Sequence, residues 1–263
     1  MSIPEESPRG PVLAIAVFGD AASVALRHGD SPAELVVADE TVGQAHSARI
    51  LALVTRVLAE SGCRPADLAG VAFEAGPGAF TSLRVACAMA QGFGLALDIP
   101  VCPVGSLETA AVSFALARPP EGGDAADGIP VFVANDARMG EGYFGVYQAR
   151  VDAARHIAVV TTLLDAGCAT PDDMVEALDH WAARLPGLAF VGDAHERHEV
   201  LARRLADLAL PAMPARADAA AIAMLAAGPG AGWMDPADAA PRYVREKVAL
   251  DVDEQRALRA TRT

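Results

Sequence analysis

Three groups of side chains in this sequence are candidates for binding or catalysis. Gly76-Pro77-Gly78 stands between an apolar run, Leu68–Phe73, and a helical stretch from about Thr81 to Leu97. Glycine permits a tight turn and close backbone approach, and a helix start presents free N–H groups that can hold an anion. Phosphate binding is one reading of this loop. The phosphate-cradling pattern needs Gly-Lys-Ser/Thr, and the only lysine in the chain is Lys247, far along the sequence. A tight strand-to-helix connection, capped near Thr81, is the plainer reading. The second group is Asp136, Arg138 and Glu141, in the stretch NDARMGEGY. Two carboxylates and a guanidinium suit catalysis, or equally a turn held by an Arg–carboxylate pair. The third is His195 and His198, whose spacing of three is the best metal-ligand spacing in the chain. With Asp193, Glu196 and Glu199 beside them, they read more simply as a solvated helix start. Neither H-E-x-x-H nor G-x-S-x-G occurs. Cys63, Cys87, Cys102 and Cys168 form no C-x-x-C pair, which suits a reducing compartment.

Around these groups the strands and helices come in a repeating order. Val12–Phe18 reads as a buried strand, Ala22–Arg27 as its hairpin arm and Glu34–Asp39 as a third strand. Apolar residues at Ile50, Leu51, Val54, Val57 and Leu58 give helical spacing over His46–Ser61, and Gly62 supplies the stop. The strand Leu68–Phe73 leads into the loop and its helix. A short strand follows at Ile99–Pro103, and Ser106 caps the next helix. After the Pro/Gly/Asp-rich break at 118–128 the order starts again, with strands at Pro130–Asn135, Gly142–Gln148 and Ala158–Leu164. Thr170-Pro171-Asp172-Asp173 then opens a helix, followed by a strand at Leu188–Val191 and a helix over Glu196–Leu208. The expectation is two α/β lobes, 11–117 and 118–215, between tails at 1–10 and 251–263. Residues 216–250, a small-residue helix and an extended closing segment, pack back on the lobes.

Composition narrows the function. At 263 residues, 52% hydrophobic and 21% charged, the chain is globular, and with only 5% aromatic its core is built from small aliphatic side chains. A net charge of −13 repels phosphate backbones, so direct nucleic-acid binding is disfavoured. No stretch approaches the ~20 apolar residues of a spanning helix, which suggests a soluble, cytoplasmic protein without membrane contact. The helix after the loop is unusual, because no charge stands between Arg84 and Asp98. A helix apolar nearly all round needs covering on two sides, one by its own sheet and the other by a neighbouring helix or another chain.

Several segments together resemble the TsaB (YeaZ) family, dimerisation subunits of the bacterial tRNA threonylcarbamoyladenosine complex. They are VLAIAVFGDAASVAL at 12–26, His46-Ser47 with its helix, GPGAFTSLR at 76–84 with Gln91-Gly92, NDARMGEGY at 135–143 and PRYVR at 241–245. The motif loop is carried by Gly76, Pro77, Gly78, Phe80, Thr81, Leu83 and Arg84. The resemblance implies a two-lobed actin/sugar-kinase/Hsp70-like (ASKHA) α/β fold with duplicated β-β-β-α-β-α lobes. It further implies a non-catalytic subunit that binds a TsaD-type catalytic subunit, is joined by a TsaE-type ATPase, and forms a homodimer without them. The reaction is threonylcarbamoylation of the adenosine after the anticodon of ANN-decoding tRNAs, with tRNA met only through the complex. The implied dimer surface maps onto His46, Arg49, Ile50, Leu53, Val54 and Val57 of the first helix. From the helix after the loop it takes Arg84, Val85, Cys87, Ala88, Gln91 and Leu95. No catalytic residue, cofactor or metal is implied, with weak residual nucleotide binding left open. Two departures stand out. Ala16–Gly19 occupies the place where most members carry Asp-Thr-Ser-Thr, groups that in active relatives handle metal and phosphate, and Ser82 replaces a glycine. The competing readings are a glycopeptidase-like hydrolase and an ATP-binding ASKHA enzyme acting alone.

Overall fold

A computed structural model describes residues 7–28, 34–41, 46–118, 128–216 and 218–245. Of the expected tails, 1–6 and 251–263 lie outside these; residues 7–10 are described, and Ser7 is anchored by a hydrogen bond to the Ala226 carbonyl at 3.0 Å. The first half runs β1 (Val12–Phe18), β2 (Ala21–His28), β3 (Glu34–Thr41), α1 (His46–Ser61), β4 (Gly70–Gly76), α2 (Phe80–Leu97), β5 (Val101–Gly105) and α3 (Ser106–Ala117). The second half repeats it with β6 (Ile129–Arg138), β7 (Glu141–Asp152), β8 (Ile157–Ala169), α4 (Pro171–Ala182) and β9 (Ala189–Val191). Two helices, α5 (Ala194–Arg197) and α6 (Glu199–Asp207), then precede β10 (Ala212–Met213) and α7 (Ala219–Ala226).

Each half builds a five-stranded mixed sheet, ordered β3-β2-β1-β4-β5 and β8-β7-β6-β9-β10. In both, the first three strands pair antiparallel and the last two add in parallel. The order is duplicated, as the resemblance implies, and it places the ends of β1 and β6 on either side of a cleft.

Alternation along β1 decides which layer covers which face. Leu13, Ile15 and Val17 point to one side and join Ile50, Leu53, Val54 and Val57 of α1 with Ala86 and Ala90 of α2. Val12, Ala14 and Ala16 point to the other and meet Ala219, Ile222, Ala223 and Ala226 of α7. Alanine on both sides lets helix and sheet approach closely.

The last helix of each half is exchanged. Helix α3, expected within the first lobe, packs Leu107, Ala110, Ala111 and Phe114 against Val131, Val133 and Tyr147 of the second sheet. Helix α7 covers the first sheet with Ala219, Ile222, Ala223 and Ala226, and turns Ala221 and Met224 to the second. The start of α3 also differs from expectation. Gly105 is the cap and Ser106 the first helical residue, because the Glu108 carboxylate accepts the Gly105 N–H at 2.9 Å. Thr170 does cap α4, accepting the Asp173 N–H, with Pro171 in the first turn. The helix expected over Glu196–Leu208 is instead broken at His198, which is extended (φ −121°, ψ 97°).

Candidate functional site

A cleft of about 320 Å³ opens between the lobes, lined by Val17–Gly19, Glu74, the loop 77–80, Asn135–Met139, Tyr143, Asp193 and Arg242–Arg245. Parallel pairing of β1 with β4 brings the β1 turn and the Gly76-Pro77-Gly78 loop to one side of it. The β6–β7 hairpin supplies the other side through a two-residue turn, Met139-Gly140, both residues at positive φ (56° and 82°).

The floor of the cleft holds a buried acid that sequence reasoning missed. Glu74 is 3% exposed and its carboxylate accepts the Val17 N–H at 2.8 Å. Burial pushes its pKa up to about 7, against the pull of that N–H. The only signal was a lone Glu following the apolar strand LAGVAF. Where an anion-binding turn would offer its N–H to a phosphate, this chain has already placed a carboxylate.

The polar group of the second lobe separates. Asp136 pairs with Arg138 at 3.1 Å and accepts the Arg138 N–H at 2.9 Å, while Asp193 accepts the Asp136 N–H at 2.7 Å. These contacts hold the hairpin turn. Glu141 turns away to Arg245, at 2.5 Å, and to the Cys168 thiol, at 3.4 Å. Burial first, and then Glu141, raises the Cys168 pKa, the opposite of what a nucleophilic thiolate needs. The two histidines do not converge. The break at His198 removes them from a shared helix face; the His195 ring stands edge-on to Phe190 and His198 Nε2 lies 3.4 Å from the Glu141 carbonyl. Among the described residues, no three His, Cys, Asp or Glu side chains form a metal-holding group.

The motif loop serves close packing. Gly76 has φ 113°, and a Cβ there would lie 2.8 Å from the Arg242 carbonyl. The cap of α2 is Ala79, with no side-chain hydrogen bond, and Thr81 is exposed on the helix. Leu83 is buried against Gly76 and Gly78, whereas Phe80 is half exposed with the Arg84 guanidinium 3.7 Å from its ring centre.

The two outer helices divide the expected dimer surface. Ile50, Leu53, Val54, Val57 and Cys87 are buried in the first-lobe core and cannot face a partner. Their i, i+3, i+4, i+7 spacing is the stripe that faces the helix's own sheet. Gln91 is half-buried and donates to the Pro236 and Ala239 carbonyls at 3.2 and 3.1 Å. That side of α2 is thus covered by the chain's own closing segment, not by a partner. Val85 is partly buried, Arg49 pairs with Glu40 at 2.8 Å, and the His46 side chain lies outside the described residues. The outward face keeps Arg84, Ala88 and Leu95 and adds Gly92, Ala96 and, from α1, Leu51. Leu95 is 64% exposed and Leu51 50%. Leu51 could have been found by noticing that it lies off the 50/53/54/57 stripe. By length and hydropathy alone, α2 reaches the threshold of a membrane-crossing helix. It packs on β1 and β4 under the closing segment, as a core helix does.

A family model described as TsaD, tRNA N6-adenosine threonylcarbamoyltransferase, matches residues 37–170, just over half of the chain. The TsaB protein of Haemophilus influenzae is 34% identical over 134 residues, covering 51% of this chain and 52% of that one. Its Escherichia coli counterpart is 35% identical over 139 residues, covering 52% and 54%. The chain thus spans about half the length of the curated relatives it matches. A tRNA N6-adenosine threonylcarbamoyltransferase from Aromatoleum aromaticum is 37% identical over 84 residues, 32% of this chain and 25% of that one. Among solved structures, YeaZ from Pseudomonas aeruginosa superposes with a TM-score of 0.63 at 24% identity, covering 89% of this chain and 99% of that one, and so agrees in fold. With just over half of the chain matched by that model, the chain belongs to the family described as TsaD, tRNA N6-adenosine threonylcarbamoyltransferase.

Proposed function

We propose that this chain is a non-catalytic subunit of the machinery that attaches a threonylcarbamoyl group to the adenosine after the anticodon of ANN-decoding tRNAs. It docks and activates a TsaD-type catalytic subunit, with a TsaE-type ATPase joining the pair. The observation that carries the reading is the outward face of α2. Leu95 stands open to solvent beside Ala88, Gly92 and Ala96, with Leu51 exposed on the adjacent α1. Small residues permit close helix approach, and a partner helix would cover the two leucines. Without the partner, the same face would pair two copies of this chain. The net charge of −13 supports tRNA contact through the complex rather than through this subunit.

Substituting Leu95→Asp tests the docking face without touching the core. The expected result is loss of co-elution with a TsaD-type partner, with binding at least ~10-fold weaker and an unchanged thermal midpoint. Wild-type chain that fails to bind such a partner would sink the proposal.

A stand-alone ATP-binding or hydrolytic enzyme is the second reading, and the cleft with its buried Glu74 is the observation in its favour. Glu74 also weighs against it, because its carboxylate already occupies the Val17 N–H. Calorimetric titration with ATP and Mg²⁺ separates the two; sub-micromolar binding would favour the enzyme.

A further inference from the structure

The cleft is crossed by the chain's own closing segment. This segment bridges Val101 at Met234 and runs along α2, where Gln91 holds the carbonyls of Pro236 and Ala239. On the first lobe, the Arg242 N–H donates to the Ala75 carbonyl at 2.7 Å and its guanidinium to the Pro103 carbonyl at 3.2 Å. The Tyr243 ring lies 5.6 Å from that of Phe80, and its hydroxyl accepts from Arg84 Nε at 3.3 Å. Arg245, in the same segment, belongs to the other lobe. Its guanidinium donates to Glu141 at 2.5 Å and to the Arg138 carbonyl at 3.2 Å, and lies 3.7 Å from the Met139 sulfur.

We infer that residues 242–245 are a built-in clasp that holds the two lobes in one arrangement, doing from within the chain what a cleft ligand does in a two-lobed protein. Closure around a ligand needs contacts to both lobes at once. Here three residues within a run of four, Arg242, Tyr243 and Arg245, supply both sets. The Arg245 side chain is only 13% exposed, so its charge depends on Glu141 as its carboxylate partner. Gly76 completes the fit, since any Cβ there would meet the Arg242 carbonyl. At the other end of β2 the lobes are joined separately, where Arg27 donates to the carbonyls of Arg155 and His156, each at 3.0 Å. The clasp therefore acts at the cleft, and it reaches the outward face of α2 only through Arg84.

Hydrogen exchange on the full chain tests this with two reciprocal variants. Arg245→Met removes contacts to the second lobe only, and Tyr243→Ala removes contacts to the first lobe only. A clasp predicts that each variant speeds exchange on both cleft walls, 77–80 and 136–141, by about 10-fold or more, while Leu13–Ile15 and Val131–Val133 stay protected. Faster exchange confined to the wall each residue touches, or no change in a folded variant, would overturn it. If Arg245→Met fails to fold, Arg245→Lys keeps the charge but loses the forked geometry, and it must still loosen 77–80.

Discussion

Glu74 is where a single side chain governs a measurable property. Its carboxyl is buried and titrates at about 7, well above the ordinary carboxylate value of 4.5. Between those values the folded chain keeps the proton and the unfolded chain releases it. Stability from this group is therefore fully present below pH 4.5 and is lost as pH rises through 7. The span corresponds to about 3 kcal/mol. Glu74→Gln keeps the shape and the acceptor for the Val17 N–H but cannot ionise. Urea unfolding of the variant should match the parent near pH 4.5 and exceed its stability at pH 8; parallel profiles at both pH values would show that Glu74 does not ionise as described. Gly76 makes a second residue-scale case. With φ 113° and the Arg242 carbonyl 2.8 Å from a new Cβ, Gly76→Ala should cost about 2 kcal/mol by thermal denaturation. The need for glycine was legible from the loop. The neighbour that imposes it was not, because Arg242 lies far along the chain and sequence spacing carries no record of long-range contact.

At the scale of elements, local patterns were readable and the direction each helix faces was not. Short apolar runs placed β1 to β3 to within two residues, and period-3.6 spacing placed α1, because each such element buries apolar side chains of its own. The expected interface counted the most apolar residues of α1. Ile50, Leu53, Val54 and Val57 are apolar because they face the sheet, and the outward position fell to Leu51. Helix α2 was harder, since its pattern has no polar face to orient it. What resolves it is Pro236, which sits where a Cβ on Gly94 would lie 2.5 Å away. The start of α4 shows the readable limit. Thr170 and Asp173 cap each other reciprocally, so Thr170→Ala should lower stability by about 1 kcal/mol in a denaturant titration, with the helix otherwise intact.

At the scale of the molecule, the exchange of last helices decides how the chain folds. Read from the sequence, 11–117 is one lobe, because its elements are consecutive and a Pro/Gly/Asp-rich stretch follows them. Packing ties that lobe closely to the second half. Without the second half, Leu107, Ala111 and Phe114 of α3 lose Val131, Val133 and Tyr147, while Val12, Ala14 and Ala16 of β1 lose the cover of α7. Each half alone would expose an apolar face that its partner half buries, and exposed apolar area of that kind drives association rather than solubility. Fragments 1–117 and 118–263 should therefore each lack a cooperative thermal transition when expressed separately. Mixed from denaturant, they should recover a one-to-one complex with the circular dichroism of the intact chain. A cooperative transition in fragment 1–117 alone would mean that sheet, α1 and α2 form a core sufficient without α7. The exchanged helices would then be a docking contact between two finished lobes and not a condition of their folding.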